Sequence, residues 1–407
     1  QPTAHVRTYL SEVKIGAELD KKKISKAVVT VDELAGVNPE KILEQYRTDS
    51  ISAKEARTYE FIDSISEEAD LEKRLNYLAA AFSGRLPIWY FDLGLNRILK
   101  YNTYEGFRLG VGAHTNARFS RWIKLGGFVG YGFKDKVTKY GYDAEITINK
   151  YNNVKLKGGY LFDIFETGGV EFIQDNAQRI FTDHYRQLFI KQWDQSSRYF
   201  ASLSYDPAPQ VHLLFKAQRE NSYTVGNYYY DTENGQAEPL QNGFNYFEVV
   251  TSLNWTPKQE YIETPDLSKL LLQRVYPIID IQYTRGIAGV FESDFDYNKI
   301  DVRVEQHFKM VRLGESSIEV GAGVVFEDLP YSKLYAGQAN NVAGDNFWKT
   351  FTISDRHSFE TMAYNEFVSD TYTQLLLRHD FKSLLFRREN FAPELELVAR
   401  GLWGTLR

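Results

Sequence analysis

The sequence has no cysteine. That excludes a disulfide framework and a cysteine-ligated zinc site. A chain of 407 residues without one thiol suits an oxidising compartment. Long apolar runs are missing too. Residues 78–82 form one of the longest, far short of the roughly 20 residues of a membrane-crossing helix. This excludes helical spanning only, because a strand of a membrane barrel alternates lipid-facing and lumen-facing side chains. Nor is there an excess of one charge. The net charge is −6 and no long basic run occurs, so nucleic acid is not an expected partner. A basic-plus-apolar leader is absent at Gln1, which leaves the compartment open.

What the chain does carry is aromatic: 28 Tyr and 27 Phe, beside 28 Gly and a mean hydropathy of −0.42. This mixture favours β structure with close backbone approaches. The first 100 residues differ from the rest. They are charged and carry helix signals, with starts at Asn38-Pro39 and Ser52-Ala53-Lys54-Glu55. Leu71, Leu75, Leu78 and Phe82 follow at helical spacing, with Gly84 as a stop. Helices are expected over residues 38–46, 52–62 and 67–83, in a connector segment spanning residues 1–100.

From Tyr104 the period becomes two. Phe107, Leu109, Val111 and Ala113 share one face, and Gly106, Arg108, Gly110, Gly112 and His114 the other. Lys124 opposes Ile123 and Leu125, while Asp143 and Glu145 oppose Tyr142, Ala144 and Ile146. Arg303, Glu305 and His307 oppose Val302, Val304 and Phe308. About thirteen such segments follow residue 100, many longer than strands of soluble sheets and with aromatics near their ends. The expected fold is all-β: an antiparallel transmembrane β-barrel over residues 101–407, of about 14–16 strands when complete. Glu105–His114 reads as its first strand. The polar face is expected to line the lumen, through Gly106, Arg108, Gly110, Gly112, Lys124, Asp143, Glu145, Arg303, Glu305 and His307. The glycines there would leave room for long neighbours such as Arg108 and Lys124, or for an inserted loop.

Several chemical readings fail on spacing. Gly110-Val111-Gly112 lacks the third glycine and the following helix of a nucleotide loop. The acids from Glu292 to Asp296 lack the turn glycine of a calcium loop. His307 beside Glu305 is either an acid–base pair or one rung of a charge ladder across strands, and the second is favoured. No catalytic residue, cofactor or metal ligand is therefore assigned. Residues 328–369 form the longest connection, a plug for the lumen or a cap outside it.

The runs Ala56-Arg57-Thr58-Tyr59-Glu60-Phe61-Ile62-Asp63-Ser64, Glu105-Gly106-Phe107-Arg108-Leu109-Gly110 and Tyr131-Gly132-Phe133-Lys134-Asp135-Lys136 resemble an outer-membrane barrel family of Bacteroidota. Phe359-Glu360-Thr361-Met362 and Glu366–Tyr372 resemble the same family. It often carries an N-terminal carboxypeptidase-regulatory-like domain and has no agreed activity. Through Asn102, Glu105 and Gly106 the chain is also distantly similar to surface-antigen barrels that assemble outer-membrane proteins. Thr284-Arg285-Gly286-Ile287 matches the lumen motif of that group only in part. The resemblance implies a non-enzymatic role in outer-membrane biogenesis, a periplasmic N-terminal segment, and contact with outer-membrane lipid and lipopolysaccharide. It also implies a piece of a longer protein. A passive or gated solute channel is the alternative, and a secreted soluble β-sandwich that binds glycans is a further one.

Overall fold

The computed structural model describes residues 84–169, 192–225, 243–258, 276–310, 313–341, 358–363, 366–382 and 393–406, with shorter stretches elsewhere. The chain divides into two compact units. One comprises Gln1–Ser83 and Ile262–Leu270. In it, Val29 and Thr30 pair in parallel with Ile262 and Glu263. Residues 57–59 and 61 are helical, whereas the helices expected over 38–46 and 67–83 lie outside the described residues.

The other unit, Gly84–Tyr261 with Leu271–Arg407, is built on one sixteen-stranded sheet. Three short strands come first: β1 (Arg85–Ile88), β2 (Phe91–Gly94) and β3 (Leu99–Asn102). The wall continues with β4 (Gly106–Thr115), β5 (Ile123–Gly132), β6 (Thr138–Asn149), β7 (Val154–Glu166), β8 (Trp193–Ala208) and β9 (Val211–Thr224). Next come β10 (Gly243–Trp255), β11 (Ile278–Gly286), β12 (Tyr297–Met310) and β13 (Gly314–Val325). The last members are the short β14 (Tyr335–Ala336), then β15 (Val368–Asp380) and β16 (Glu396–Leu406). From β4 to β13 each strand is antiparallel to the next, and β13 then pairs with β15, which pairs with β16. The turn between β6 and β7 places Asn153 at φ 47°, a conformation that asparagine tolerates.

One expectation needs correcting. Glu105–His114 is not the first strand. Both β2 and β3 precede it and pair with β4, one at each end, around a single 3₁₀ turn at Leu95–Arg97. The sheet thus begins ahead of the switch to period two at Tyr104. β2 and β3 have four residues each, too few to show a period, which is why the sequence pattern passes over them.

The pattern of burial is inside out. On β4, Phe107, Leu109 and Val111 are about half exposed, while Arg108 between them is 4 % exposed. On β6, Tyr140, Tyr142, Ile146 and Ile148 face outward, and Lys139 is completely buried. Water would penalise such a surface, since large contiguous apolar patches on soluble proteins are rare. Hydrocarbon favours it, and the strands are long enough to cross it at a tilt. Exposed aromatics form two belts. Tyr101, Phe107, Tyr131, Phe133 and Phe326 lie towards one end of the strands, and Phe119, Trp122, Tyr151, Trp255 and Phe308 towards the other. This is an antiparallel membrane β-barrel, with charged side chains such as Arg108 and Lys139 turned inside.

Candidate functional site in the barrel interior

Two clusters of charge fill the interior. The first sits where β3 turns into β4. Asn102 Oδ1 accepts the backbone N–H groups of Tyr104 (3.0 Å) and Glu105 (2.7 Å), which makes the tight turn. Its Nδ2 donates to Glu105 Oε2 at 2.6 Å. Glu105 is wholly buried and meets Lys139 Nζ at 2.6 Å, and Lys139 also pairs with Asp135. Next to it, Arg108 spans the interior to β7. Its two terminal nitrogens bind Asp163 at 2.5 and 3.2 Å, a bidentate arrangement. Arg97, from the 3₁₀ turn, reaches the same carboxylate at 3.4 Å and lies over the Phe128 ring at 4.0 Å.

Arg97 explains the glycines. A methyl group at Gly112 would stand 3.1 Å from Arg97 Cγ and 2.9 Å from Phe128 Cβ. At Gly110 it would stand 2.6 Å from the Val129 carbonyl oxygen and 2.9 Å from that of Arg97. The space at these two glycines therefore receives the Leu95–Arg97 turn, rather than Lys124. Gly106 serves a different purpose, with φ 66° leaving the turn.

The second cluster anchors the connection after β13. Residues 329–339 enter the interior and pack there. Leu329, Leu334, Tyr335 and Ala336 join Phe244, Tyr246, Tyr297, Val325, Val368 and Tyr372 in one apolar core. At its edge, Lys333 Nζ lies 2.9 Å from Glu220 on β9, 2.7 Å from Glu248 on β10, and 4.3 Å from the Tyr246 ring centre. Glu220 also accepts from Arg198 (2.8 Å) and Ser196 (2.7 Å), and Glu248 from Gln218 and Tyr297. Burial alone would lower the Lys333 pKa, but Glu220 and then Glu248 outweigh it, and the ammonium is held above the ordinary lysine range.

The other sequence-selected residues are spread along the wall. Asp143 pairs with His114 (3.3 Å) and Lys157 (3.2 Å), and Lys124 stands opposite Glu145 in the β5–β6 register. Arg303 binds Asp280 on the adjacent strand at 2.7 Å, while His307 bonds to Glu305 on its own strand. Sequence reasoning missed Lys333, Glu220 and Glu248, and it placed Lys139 and Asp163 on the polar faces of their strands without selecting them; these five carry the deepest pairs. It also missed a bond between Ser316 and His379 Nδ1 at 2.7 Å, whose ring Nε2 approaches the Leu313 carbonyl at 3.0 Å.

The profile described as "Family of unknown function (DUF5686) C-terminal domain" matches residues 84–397. The chain belongs to that family. The matched span begins one residue before β1 and so takes in nearly the whole barrel unit. No curated protein matches. Among solved structures, the chain is similar to the crystal structure of BamA from Haemophilus ducreyi lacking POTRA domains 1-3, with a TM-score of 0.46 and 8% identity. The likeness covers 75% of this chain and 57% of that one.

Proposed function

We propose that this chain is an outer-membrane barrel whose lumen is closed by its own residues 329–339, and that it serves outer-membrane biogenesis rather than solute passage or catalysis. The observation that carries the closed lumen is Lys333. A buried lysine ion-paired to two strands holds the segment inside the wall, and a passive pore needs that space open. An outer-membrane setting is supported by the apolar outer face and the two aromatic belts. The connections at residues 167–192, 225–242 and 326–367 leave one end of the strands and those at 256–277 and 381–395 the other; the first set holds the two longest, which supports it as the outer end, since such barrels carry their longer loops there. The periplasmic setting of the N-terminal segment rests on the sequence resemblance. Lipid and lipopolysaccharide are the surroundings this surface fits. The assembly role rests on the sequence resemblance of the Asn102–Gly106 turn.

The test has two arms. In planar lipid bilayers the wild-type chain gives no steady conductance, and a stable ohmic current overturns the closed-lumen reading. Depletion in the native host lowers the amounts of other heat-modifiable outer-membrane proteins while solute uptake is unchanged. Unchanged protein levels remove the assembly role.

A further inference from the structure

Lys100 on β3 stands directly opposite Arg108 on β4. Both point into the lumen, since Leu99 and Tyr101, on either side of Lys100, are exposed on the outer face. Like charges directly opposite one another destabilise a strand pair. Among the described residues, Lys100 has no ion pair and its ammonium group makes no hydrogen bond. Its charged neighbours are Arg97, Asp163, Arg108 and Glu105.

The carboxylates around it are already committed. Arg108 and Arg97 approach the same oxygen, Asp163 Oδ2, at 3.2 and 3.4 Å. Glu105 is held by Lys139 at 2.6 Å and by Arg108 at 3.5 Å, and Asp135 by Lys139. Asp143, a further acid that acts on Arg97, is paired with Lys157 and His114. The cluster therefore holds the four cations Arg97, Lys100, Arg108 and Lys139 against the three carboxylates Glu105, Asp135 and Asp163. The surplus lies on its open side. Arg108 and Lys139 are buried, whereas the Arg97 side chain is 32 % exposed and Lys100 is half-buried.

Donors are left over on that side as well. Arg97 commits Nη1 to Asp163, and its Nη2 and Nε have no partner among the described residues. That edge of the guanidinium is a fork for two oxygens. Lys100 adds an ammonium with N–H donors of its own. A carboxylate fits this set. Its two oxygens meet the fork, one of them also accepts from Lys100, and its single negative charge equals the surplus. We propose that the lumen binds a small organic carboxylate between Arg97 and Lys100. The bound anion relieves the repulsion between Lys100 and Arg108 while Asp163 keeps its own partners. A divalent oxyanion is a poorer match, because its second charge faces Asp163. The proposal is independent of the assembly role and of whether the lumen conducts.

Titration of isotope-labelled acetate against the folded chain in detergent micelles, read by magnetic-resonance line broadening, tests it. Acetamide is the uncharged counterpart of nearly the same shape. Acetate is expected to bind at least tenfold more tightly than acetamide. Lys100→Met and Arg97→Gln are each expected to weaken acetate about tenfold, which corresponds to about 1.4 kcal/mol. Arg118→Gln, on the exposed turn between β4 and β5, leaves it unchanged. Equal affinity for the two probes, no binding of acetate, full acetate binding by folded Lys100→Met, or an equal loss in Arg118→Gln overturns the proposal. If Arg97→Gln does not fold, Lys100→Met decides, since it breaks no ion pair and keeps the length of the side chain.

Discussion

Lys333 Nζ donates to Glu220 Oε2 at 2.9 Å across 113 residues of sequence. One end of this bond lies in the segment inside the barrel and the other in the wall. It ties closure of the lumen to a single side chain, and Glu248 at 2.7 Å doubles the tie.

Replacing Lys333 by Met leaves two buried carboxylates facing one another. Removing one partner of a buried pair costs about 3–5 kcal/mol. The Lys333→Met chain is therefore expected to release residues 329–339, which limited proteolysis reads as new cuts there and bilayer recording reads as current. Adding Glu220→Gln and Glu248→Gln to the same chain is expected to restore much of the protection, because the repulsion is then gone.

The same pair sets a pH dependence. The Lys333 pKa is raised on folding above its ordinary 10.5, so its stabilisation is fully present below that value and is lost as pH rises through the folded pKa. Protease protection of residues 329–339 is expected to stay flat from about pH 6 to pH 9 and to fall only above about pH 10.5. A midpoint near neutrality would contradict the ion pair.

Arg108 and Asp163 join β4 to β7 through the interior. Arg108→Ala leaves Asp163 with Arg97 at 3.4 Å and the Ile164 N–H at 2.9 Å. The expected loss is about 3 kcal/mol, seen as a lower urea midpoint for folding into vesicles with an unchanged slope.

The glycines differ in tolerance. Gly110→Ala puts a methyl group 2.6 Å from a backbone carbonyl and is expected to cost about 1–3 kcal/mol. At Gly158 the nearest atom is 3.4 Å away, so Gly158→Ala is expected to be near neutral in the same titration. Similar losses at both sites would remove the steric role given to the close approach of the Val129 and Arg97 carbonyls at Gly110.

On the outer face, Leu109→Arg is expected to cost about 2–4 kcal/mol in lipid. Its sequence neighbour Arg108 is tolerated because it points inward to Asp163.

The strand plan was legible in the alternation of Phe107, Leu109 and Val111 with Gly and Arg, because lipid and lumen impose period two on every crossing. Length was less legible. β8 runs from Trp193 to Ala208, but Gln195 and Ser197 on its outward parity carry no apolar signal. The polar face was readable as a face, and its pairing was not. Arg303 and Asp280 are 23 residues apart and Lys333 and Glu220 113 apart, and no local pattern encodes such partners. Lys333 itself lies in a connection whose sequence shows no period at all.

The inserted segment is covalently held at both ends by β13 and β15, two strands that are neighbours in the sheet. Once displaced, it cannot diffuse away. Its local concentration at the Glu220–Glu248 pocket is set by the length of the connection rather than by the amount of protein in the membrane. Reclosure is then a first-order event, equally fast in a crowded membrane and in a single reconstituted barrel. Any opening should appear as brief, self-terminating intervals whose duration does not depend on protein density.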